Sequence, residues 1–424
     1  MLQNCHARQW ASPQGLLTTL IQMIHSLLSR YSSVTWLAAL FIAAHGFAAT
    51  QEVKVDASAA VGKPQPVTLG DQLENLGRLY SDKTNPIVQE FWLLGRYHVQ
   101  QHWSDASNGQ YDEGIESRRL RFGFQGKFFN KLTLHAQMVS GTDLDPLYNG
   151  FTELWAQWSF SEALNLTIGQ QKHRFTHDRN VSSRYINYLE RSMLTNMFGL
   201  DYTPAVTLSG KLGSFSYYTG LFSNATGPSM GNSFTKFNSG LSYIASATWD
   251  FGTKLGTDNA ALNLGYLYSD LDAQATNLNR FCNGLSAALI LTDGPFSLVT
   301  EATSGRGGAR GNVHGINIQP GVFLTDKLQL VGRYQFAASD DVGGIRAQRR
   351  YERNVGLNNG DRYHAAYLGL NYHIAKHRLK VMTGLEYTKL DKLDCWTGSV
   401  AFRFFFGPHS KGPFPMAQML DGVW

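Results

Sequence analysis

The stretch RRLRFGFQGKFFNKLTLHAQ, residues 118–137, contains two segments in which apolar and polar residues alternate on either side of a short turn. In the first segment Leu120, Phe122 and Phe124 share one face, while arginine, glutamine and lysine share the other. The second segment repeats the pattern with leucine and alanine against lysine, threonine, histidine and glutamine. A period of two with one apolar and one polar face is typical of a strand between lipid and water. The stretch therefore predicts a hairpin of a transmembrane β-barrel.

The same alternation recurs between residues 88 and 406, where short turns and long loops follow one another in strict order. Turns are predicted at residues 128–130, 161–163, 212–214, 252–259, 292–294, 324–326 and 374–376. Loops are predicted at residues 104–115, 141–150, 173–204, 224–240, 269–279, 305–312, 338–360 and 389–394. A soluble β-sandwich would not show this order. The pattern predicts an all-β fold, a transmembrane antiparallel barrel of about sixteen strands with both ends on the side of the turns.

The composition agrees with a barrel and argues against a helical membrane protein. Charged residues make up 16% and aromatic residues 12% of the 424 residues, and the mean hydropathy is -0.24. Beyond residue 50 the sequence has no uncharged apolar run of about 18 residues, which a membrane-spanning helix needs. A protein that lies in lipid without such helices must satisfy its backbone hydrogen bonds in a closed barrel.

Both ends of the chain fit an exported barrel. Residues 1–50 are predicted to be a signal peptide, because TWLAALFIAAHGFAAT (35–50) is a short apolar core followed by small residues. A membrane anchor is the alternative, although the apolar stretch is shorter than the hydrocarbon core. Residues 51–86 are predicted to be periplasmic, with a short helix at 69–80, where leucines recur at helical spacing. The barrel is expected over residues 87–406, ending in the aromatic strand TGSVAFRFFF, and a tail over 407–424.

No pattern in the sequence predicts a cofactor or a catalytic set. Cys282 and Cys395 are far apart and belong to no cluster with metal-ligand spacing, so they are two free thiols or a single bridge. His173 and His177 could bind a metal, but no third ligand accompanies them. Serine and histidine occur without the spacing that a nucleophile and its base would show. An enzyme is therefore not expected.

Three segments resemble the phosphate-selective porin family of the porin O and porin P type. They are WLLGRYHVQ at residues 92–100, the hairpin at 118–137, and GQQKHRFTHDRNVSSRYINYLERS at 169–192. The last is the most specific, because it combines a Gly-Gln-x-Lys strand end with a serine-rich step and a Glu-Arg pair. The matching residues are Gly169, Gln170, Lys172, Ser182, Ser183, Glu190 and Arg191. His173 and Arg174 stand where the family usually has a proline.

The resemblance implies a homotrimeric barrel in the cell outer membrane whose third extracellular loop folds inward and narrows the pore. It implies diffusion of small solutes with a preference for phosphate-like anions. The partners would be outer-membrane lipid, lipopolysaccharide and small anions such as phosphate, and no nucleic acid. A non-selective general diffusion porin, a sugar porin and a mainly structural envelope protein are the alternatives.

Charge position says more about selectivity than total charge. The first fifty residues hold two arginines and no acid, which leaves 35 basic and 32 acidic residues from the 37 and 32 of the whole chain. The basic residues that the alternation places on polar faces or in the third loop are candidates for anion binding: Arg96, Arg119, Arg121, Lys127, Lys172, Arg174, Arg179, Arg184, Arg191, Arg333 and Lys380. Rings of such residues favour anions in a narrow channel. Alternatively, they pair with acids such as Glu153, Glu301 and Glu386 and stiffen the wall.

Two further groups of residues are predicted to have other uses. The basic cluster IRAQRRYER at 345–353 lies on a long outer loop and is interpreted as a solvated surface or a contact with lipopolysaccharide. Trp155, Trp158 and Trp249 are assigned to the aromatic girdles at the membrane interfaces rather than to a sugar-binding track.

Overall fold

The computed structural model describes residues 68–224, 240–270, 280–307, 311–348 and 350–408. The predicted signal peptide, the start of the predicted periplasmic segment and most of the predicted tail lie outside the described residues. No helix among the described residues is both long and apolar enough to cross a membrane.

Sixteen antiparallel strands close into a barrel, as the alternation predicts. They are β2 (Val88–Ala106), β3 (Tyr111–Phe128), β4 (Leu132–Val139), β5 (Phe151–Ser161), β6 (Leu164–Lys172), β7 (Tyr202–Leu212), β8 (Phe215–Ser223), β9 (Leu241–Gly252), β10 (Asn259–Ser269), β11 (Asn283–Asp293), β12 (Phe296–Arg306), β13 (Val313–Phe323), β14 (Leu328–Ser339), β17 (Arg362–His377), β18 (Leu379–Leu390) and β19 (Leu393–Phe406). The remaining strands among the described residues are β1 (Arg78–Ser81) and the pair β15 (Ile345–Arg346) and β16 (Asn359–Gly360). Helix α1 (Leu69–Asn75) precedes the barrel, and α2 (His177–Asn180), α3 (Met193–Asn196) and a 3-10 turn (Thr142–Leu144) lie in loops.

The barrel closes between its first and last strands. β19 pairs with β2 in a continuous register from Cys395 opposite Ala106 to Phe406 opposite Gly95. Each other barrel strand pairs with the next barrel strand along the chain, since β15 and β16 pair only with each other in the loop between β14 and β17. Closure removes the edge strands that would otherwise expose unpaired backbone groups.

Turns and loops alternate between the two ends of the barrel, as predicted. Two of the predicted outer loops are much shorter than expected, because the strands of these hairpins are longer than predicted: β2 and β3 leave only residues 107–110, and β18 and β19 leave only residues 391–392. The two longest loops that join barrel strands are residues 173–201, called loop 3 here, and residues 340–361, called loop 7.

The assigned faces of the strands agree with the burial of their side chains. Phe122 and Phe124 are exposed on the outer surface at 48% and 45%. Their inward neighbours on adjacent strands, among them Arg96, His135 and Gln137, are buried. Side chains alternate across a strand, so one correctly assigned residue fixes the rest of its strand.

Helix α1 begins at a capping box and ends earlier than the predicted helix at 69–80. The Thr68 hydroxyl accepts a hydrogen bond from the Asp71 N–H at 3.2 Å, and the Asp71 carboxylate accepts one from the Thr68 N–H at 2.9 Å. Gly77 follows with a φ of +87°, a left-handed conformation that redirects the chain. The chain then forms β1, where Arg78 pairs with Trp92 of β2. The continuation of the helix to residue 80 is therefore wrong.

Candidate pore and its cationic lining

Loop 3 makes hydrogen bonds to polar side chains of strands on several sides of the barrel. The guanidinium of Arg333 donates to the Glu190 carbonyl at 2.8 Å, and the guanidinium of Arg403 donates to the Leu189 carbonyl at 2.6 Å. Lys380 Nζ donates to the Ile186 carbonyl at 2.8 Å. These wall residues belong to β14, β18 and β19, so basic side chains of the wall satisfy main-chain carbonyls of the loop.

An acidic side chain holds the other end of loop 3. Glu301 of β12 is fully buried, and its carboxylate accepts hydrogen bonds from the N–H of His177 at 2.6 Å and of Asp178 at 3.3 Å. It also accepts one from the Ser286 hydroxyl at 2.8 Å. The carboxylate therefore satisfies two amides at the start of α2 that lack partners within the helix.

Loop 3 also carries its own apolar side chains into the structure. Phe175, Met193 and Leu194 are completely buried, in a cluster that includes Ile244 and Leu267 of the wall. Apolar residues inside an otherwise polar barrel favour a packed loop over one that extends into water.

Loop 7 is packed as well, so only part of residues 345–353 is the solvated surface that was predicted, and Arg346 is exposed there. Ile345, Tyr351 and Val355 are buried at 0%, 7% and 0% exposure. Arg350 forms an ion pair with Glu116 of β3. The sequence IRAQRRYER has apolar residues between its charges, and these side chains pack against the barrel while the charge of Arg350 is compensated.

A pore cavity of about 650 Å³ lies between loop 3 and the turn end of the barrel. Among the described residues, eight basic ones line it: Arg78, Arg96, Arg121, Lys127, Lys172, Arg174, Arg184 and Arg378. Three acidic ones from the same part of the chain line it: Glu74, Glu90 and Glu153. Six of the eleven predicted site residues are therefore brought together here, and the cavity is strongly basic although the chain as a whole is nearly balanced.

Hydrogen bonds to uncharged acceptors hold several of these cations in place. Arg96 donates to the Ser183 hydroxyl at 2.6 Å, and Arg121 donates to the Tyr202 hydroxyl at 3.0 Å. A carbonyl accepts from Lys172 at 3.1 Å and another from Arg184 at 2.9 Å. A neutral acceptor orients a cation without cancelling its charge. The positive potential of the cavity therefore persists.

Aromatic rings support the guanidinium groups of the cavity. Arg121 lies over the ring of Tyr202 at 5.3 Å, Arg174 over Tyr218 at 5.9 Å, and Arg184 over Phe405 at 5.5 Å. A nearby ring attracts a guanidinium group through the ring quadrupole. These contacts therefore help to hold the three guanidinium groups at the cavity.

The other five predicted residues lie outside the lining of the cavity. Arg333 forms an ion pair with Glu386 at 2.8 Å, and Arg191 lies 3.7 Å from the Asp178 carboxylate. The remaining three are Arg179 over the Tyr202 ring at 5.0 Å, Arg119 beside His98 at 3.5 Å, and Lys380 on the loop carbonyl described above. Arg333 and Arg191 therefore pair with acidic residues, which is the alternative to anion binding that the sequence left open.

Glu190 of the family-like Glu-Arg pair is also part of a structural contact. The Arg118 guanidinium meets its carboxylate with two hydrogen bonds, at 2.6 and 2.8 Å. Burial would raise the pKa of Glu190, but the adjacent Arg118 holds the pKa well below its usual range. Glu190 is therefore ionised, and its charge is compensated by Arg118.

Sequence reasoning missed Arg78, Arg378 and the cavity position of Trp155. Arg78 precedes the alternating strands, so it could not be assigned to a face. Arg378 has the same parity as Lys380 and Glu386, so the pattern does place it on the polar face, although it was not among the candidates for anion binding. Trp155 lines the cavity, which corrects its assignment to a girdle, whereas Trp158 and Trp249 are exposed at 39% and 53%. The signal was available, because Trp155 has the same parity in β5 as Glu153 and Gln157.

Within the described part of the chain, no three metal-ligating side chains come together. His173 instead contacts the Thr203 hydroxyl at 2.7 Å and accepts from the Asp201 N–H at 3.0 Å. Cys282 and Cys395 are both free thiols.

A closed barrel of sixteen antiparallel strands around a polar cavity defines a porin-type channel, and this class of fold indicates an outer-membrane protein. Residues 91–295 match the family model described as phosphate-selective porin O and P, which confirms the resemblance seen in the sequence. No curated protein sequence gives a significant match to the chain.

Two solved structures show the same fold. OmpF of Salmonella typhi, solved in complex with daunomycin, has a TM-score of 0.54 at 10% identity and covers 77% of this chain and 100% of its own. The outer membrane channel DcaP of Acinetobacter baumannii has a TM-score of 0.50 at 13% identity, with coverage of 77% and 100%. At these identities the likeness concerns the fold alone.

Proposed function

We propose that this porin passes small solutes by diffusion and favours anions such as phosphate. The observation that carries the proposal is the lining of the cavity, where the described residues include eight basic and three acidic ones. A fixed cation in a narrow channel lowers the free-energy cost for an anion to lose hydration water and enter. It raises the free-energy cost of entry for a mobile cation. The hydrogen-bond acceptors of Arg96, Arg121, Lys172 and Arg184 are uncharged. They support this view, because a neutral acceptor does not cancel the positive charge of the side chain that donates to it.

Loop 3 forms the constriction in this proposal. Arg174 and Arg184 of the loop line the cavity beside Arg96 and Arg121 of the wall, so an entering anion meets guanidinium groups on both sides. Arginine suits phosphate because its planar fork donates paired hydrogen bonds. The expected assembly is a homotrimer in contact with outer-membrane lipid and lipopolysaccharide, as the family resemblance implies.

A general diffusion porin is the second candidate, and the near balance of total charge favours it. The two functions differ in how the current responds to loss of the cavity cations. In planar lipid bilayers, Arg121→Gln, Arg174→Gln and Arg184→Gln, singly and together, should lower the ratio of anion to cation permeability and weaken the block of chloride current by inorganic phosphate.

Arg306→Gln is the matched control, because Arg306 is exposed at the loop end of β12 and lies outside the cavity. It should leave selectivity and phosphate block unchanged. Equal selectivity in the wild type, the triple variant and the control would contradict the proposal and leave a general diffusion porin.

A further inference from the structure

The wall of the pore cavity is chemically divided. The side formed by β4 to β7 presents mainly uncharged hydroxyl and amide groups: Thr133, Gln157, Ser159, Asn165, Thr167, Gln171 and Ser209. Glu153 and Lys172 are the charged exceptions on this side. The remaining basic residues come from β1 to β3, loop 3 and the turn after β17. A solute in the cavity therefore meets uncharged hydrogen-bonding groups of β4 to β7 as well as cations of the neighbouring strands and loop 3.

A flat aromatic surface belongs to the uncharged side. The indole of Trp155 stacks on the imidazole of His135, with ring centroids 4.8 Å apart and an angle of 7° between the planes. His135 Nδ1 lies 3.1 Å from the Gln125 amide oxygen, which fixes the imidazole and with it the indole. Trp155 is only partly buried and lines the cavity, so one surface of the pair is available to a solute.

The volume of the cavity suits an organic solute better than a bare inorganic anion. Its 650 Å³ falls within the range of about 300 to 1,000 Å³ that is usual for sites of small organic molecules. An inorganic phosphate bound to the guanidinium groups would leave the hydroxyl and amide groups of β4 to β7 in contact with water alone. A larger anion with hydroxyl groups would reach both sides.

We propose that the cavity binds hydroxylated organic phosphates of the sugar-phosphate class. The phosphate group accepts hydrogen bonds from Arg121, Arg174 and Arg184. The hydroxyl groups bond to Gln157 and its neighbours, and the apolar face of the sugar ring packs on Trp155. This inference rests on the proposed anion preference for its phosphate half and adds the uncharged side as a second determinant of specificity.

The test compares three compounds as blockers of chloride current through single channels in lipid bilayers: inorganic phosphate, glucose 6-phosphate and glucose. Two added hydrogen bonds from hydroxyl groups should make glucose 6-phosphate effective at a concentration about tenfold below that of inorganic phosphate. Glucose alone should block weakly, because it lacks the anionic group.

Variants separate the two sides of the cavity. Trp155→Leu and Gln157→Ala should each remove most of the tenfold difference while block by inorganic phosphate stays as in the wild type. Trp158→Leu is the matched control, because Trp158 is the tryptophan of β5 that faces outward, and it should change neither block. Having two independent variants keeps the test decisive if one of them fails to fold.

Equal or weaker block by glucose 6-phosphate than by inorganic phosphate would overturn this inference and leave the anion preference intact. No block by either phosphate, together with no anion preference, would overturn both.

Discussion

The side-chain amide of Gln348 in loop 7 donates a hydrogen bond to the main-chain carbonyl of Arg191 in loop 3 at 2.8 Å. Its oxygen accepts a second hydrogen bond from the Asn196 amide, also in loop 3, at 2.6 Å. Gln348 is buried. One amide therefore uses both of its ends to join two loops that are more than a hundred residues apart in sequence, and the position of loop 3 depends on loop 7.

Gln348→Ala is expected to loosen loop 3, because it removes both hydrogen bonds and leaves the buried Arg191 carbonyl without this donor. Single-channel recordings should show larger fluctuations of the open current with an unchanged sign of ion selectivity. Asn358→Ala is the control, since Asn358 is exposed in the same loop and its side-chain amide donates to the nearby Gly356 carbonyl at 3.2 Å. Equal noise in the two variants would show that Gln348 does not position loop 3.

Loop 7 should respond to pH through Glu352. Its buried carboxyl accepts hydrogen bonds from the Gln348 N–H at 2.7 Å, the Tyr363 hydroxyl at 2.6 Å and the Thr388 hydroxyl at 3.1 Å. Burial, with the neighbouring Glu386 adding to it, raises the pKa of Glu352 from 4.5 to about 7. Glu386 itself is paired with Arg333, and the phenol of Tyr363 and the thiol of Cys395 are further titratable groups near the carboxyl.

The raised pKa means that packed loop 7 binds a proton more tightly than released loop 7 does. Packing is therefore most stable at acidic pH, weakens as the pH rises from about 4.5 to about 7, and stays constant above that range. Current fluctuations should increase over the same interval. Glu352→Gln should abolish this dependence, and a variant that retains the wild-type profile would assign the titration to another group.

The assignment of faces predicts unequal costs for a new charge. Phe122→Arg places a charge in lipid and should cost about 2 to 4 kcal/mol of folding free energy if the residue is near the bilayer midplane. Gln157→Arg, on the cavity side of β5, should cost much less. Reversible unfolding from lipid vesicles in urea measures both values. Similar losses for the two variants would reject the assigned faces.

Loss of one partner of the ion pair between Arg118 and Glu190 is expected to destabilise loop 3 more than loss of both partners. Arg118→Met leaves the ionised Glu190, with a side-chain exposure of 12%, unpaired and should cost about 3 kcal/mol. The double variant Arg118→Met with Glu190→Leu should recover most of this loss, because no charge remains buried. Unfolding midpoints of the three proteins measure the effect, and additive losses would contradict it.

Those parts of the fold that depend on residues adjacent in sequence can be predicted from the sequence. Phe122 and Arg121 adjoin each other on opposite faces, and this alternation is enough to predict a strand and its two environments. The order of turns and loops extends the argument to sixteen strands. Two outer loops are shorter than predicted. Strand residues beyond the membrane no longer alternate between lipid and water, so the pattern does not identify them as strand.

The loops depend on distant partners and could not be predicted in the same way. The guanidinium of Arg333 and the main-chain carbonyl of Glu190 are in contact, but the two residues are 143 positions apart in sequence. The sequence around either residue does not predict this contact. Arg191 and Arg333 carry the charge expected of a pore residue but are paired with acids, whereas Arg78 lines the cavity from a segment with no alternation. Residue type and parity identify which cations can face the lumen. Only the path of the loops determines which of them line the cavity.

The reversal potential of the wild-type protein across a potassium chloride gradient in a planar bilayer tests the central claim most directly. Eight basic and three acidic residues around the cavity predict a potential whose sign shows preferential passage of chloride. Addition of inorganic phosphate should reduce the chloride current, since both anions would share the same guanidinium groups. A potential near zero, or one whose sign shows preferential passage of potassium, would contradict an anion-preferring pore.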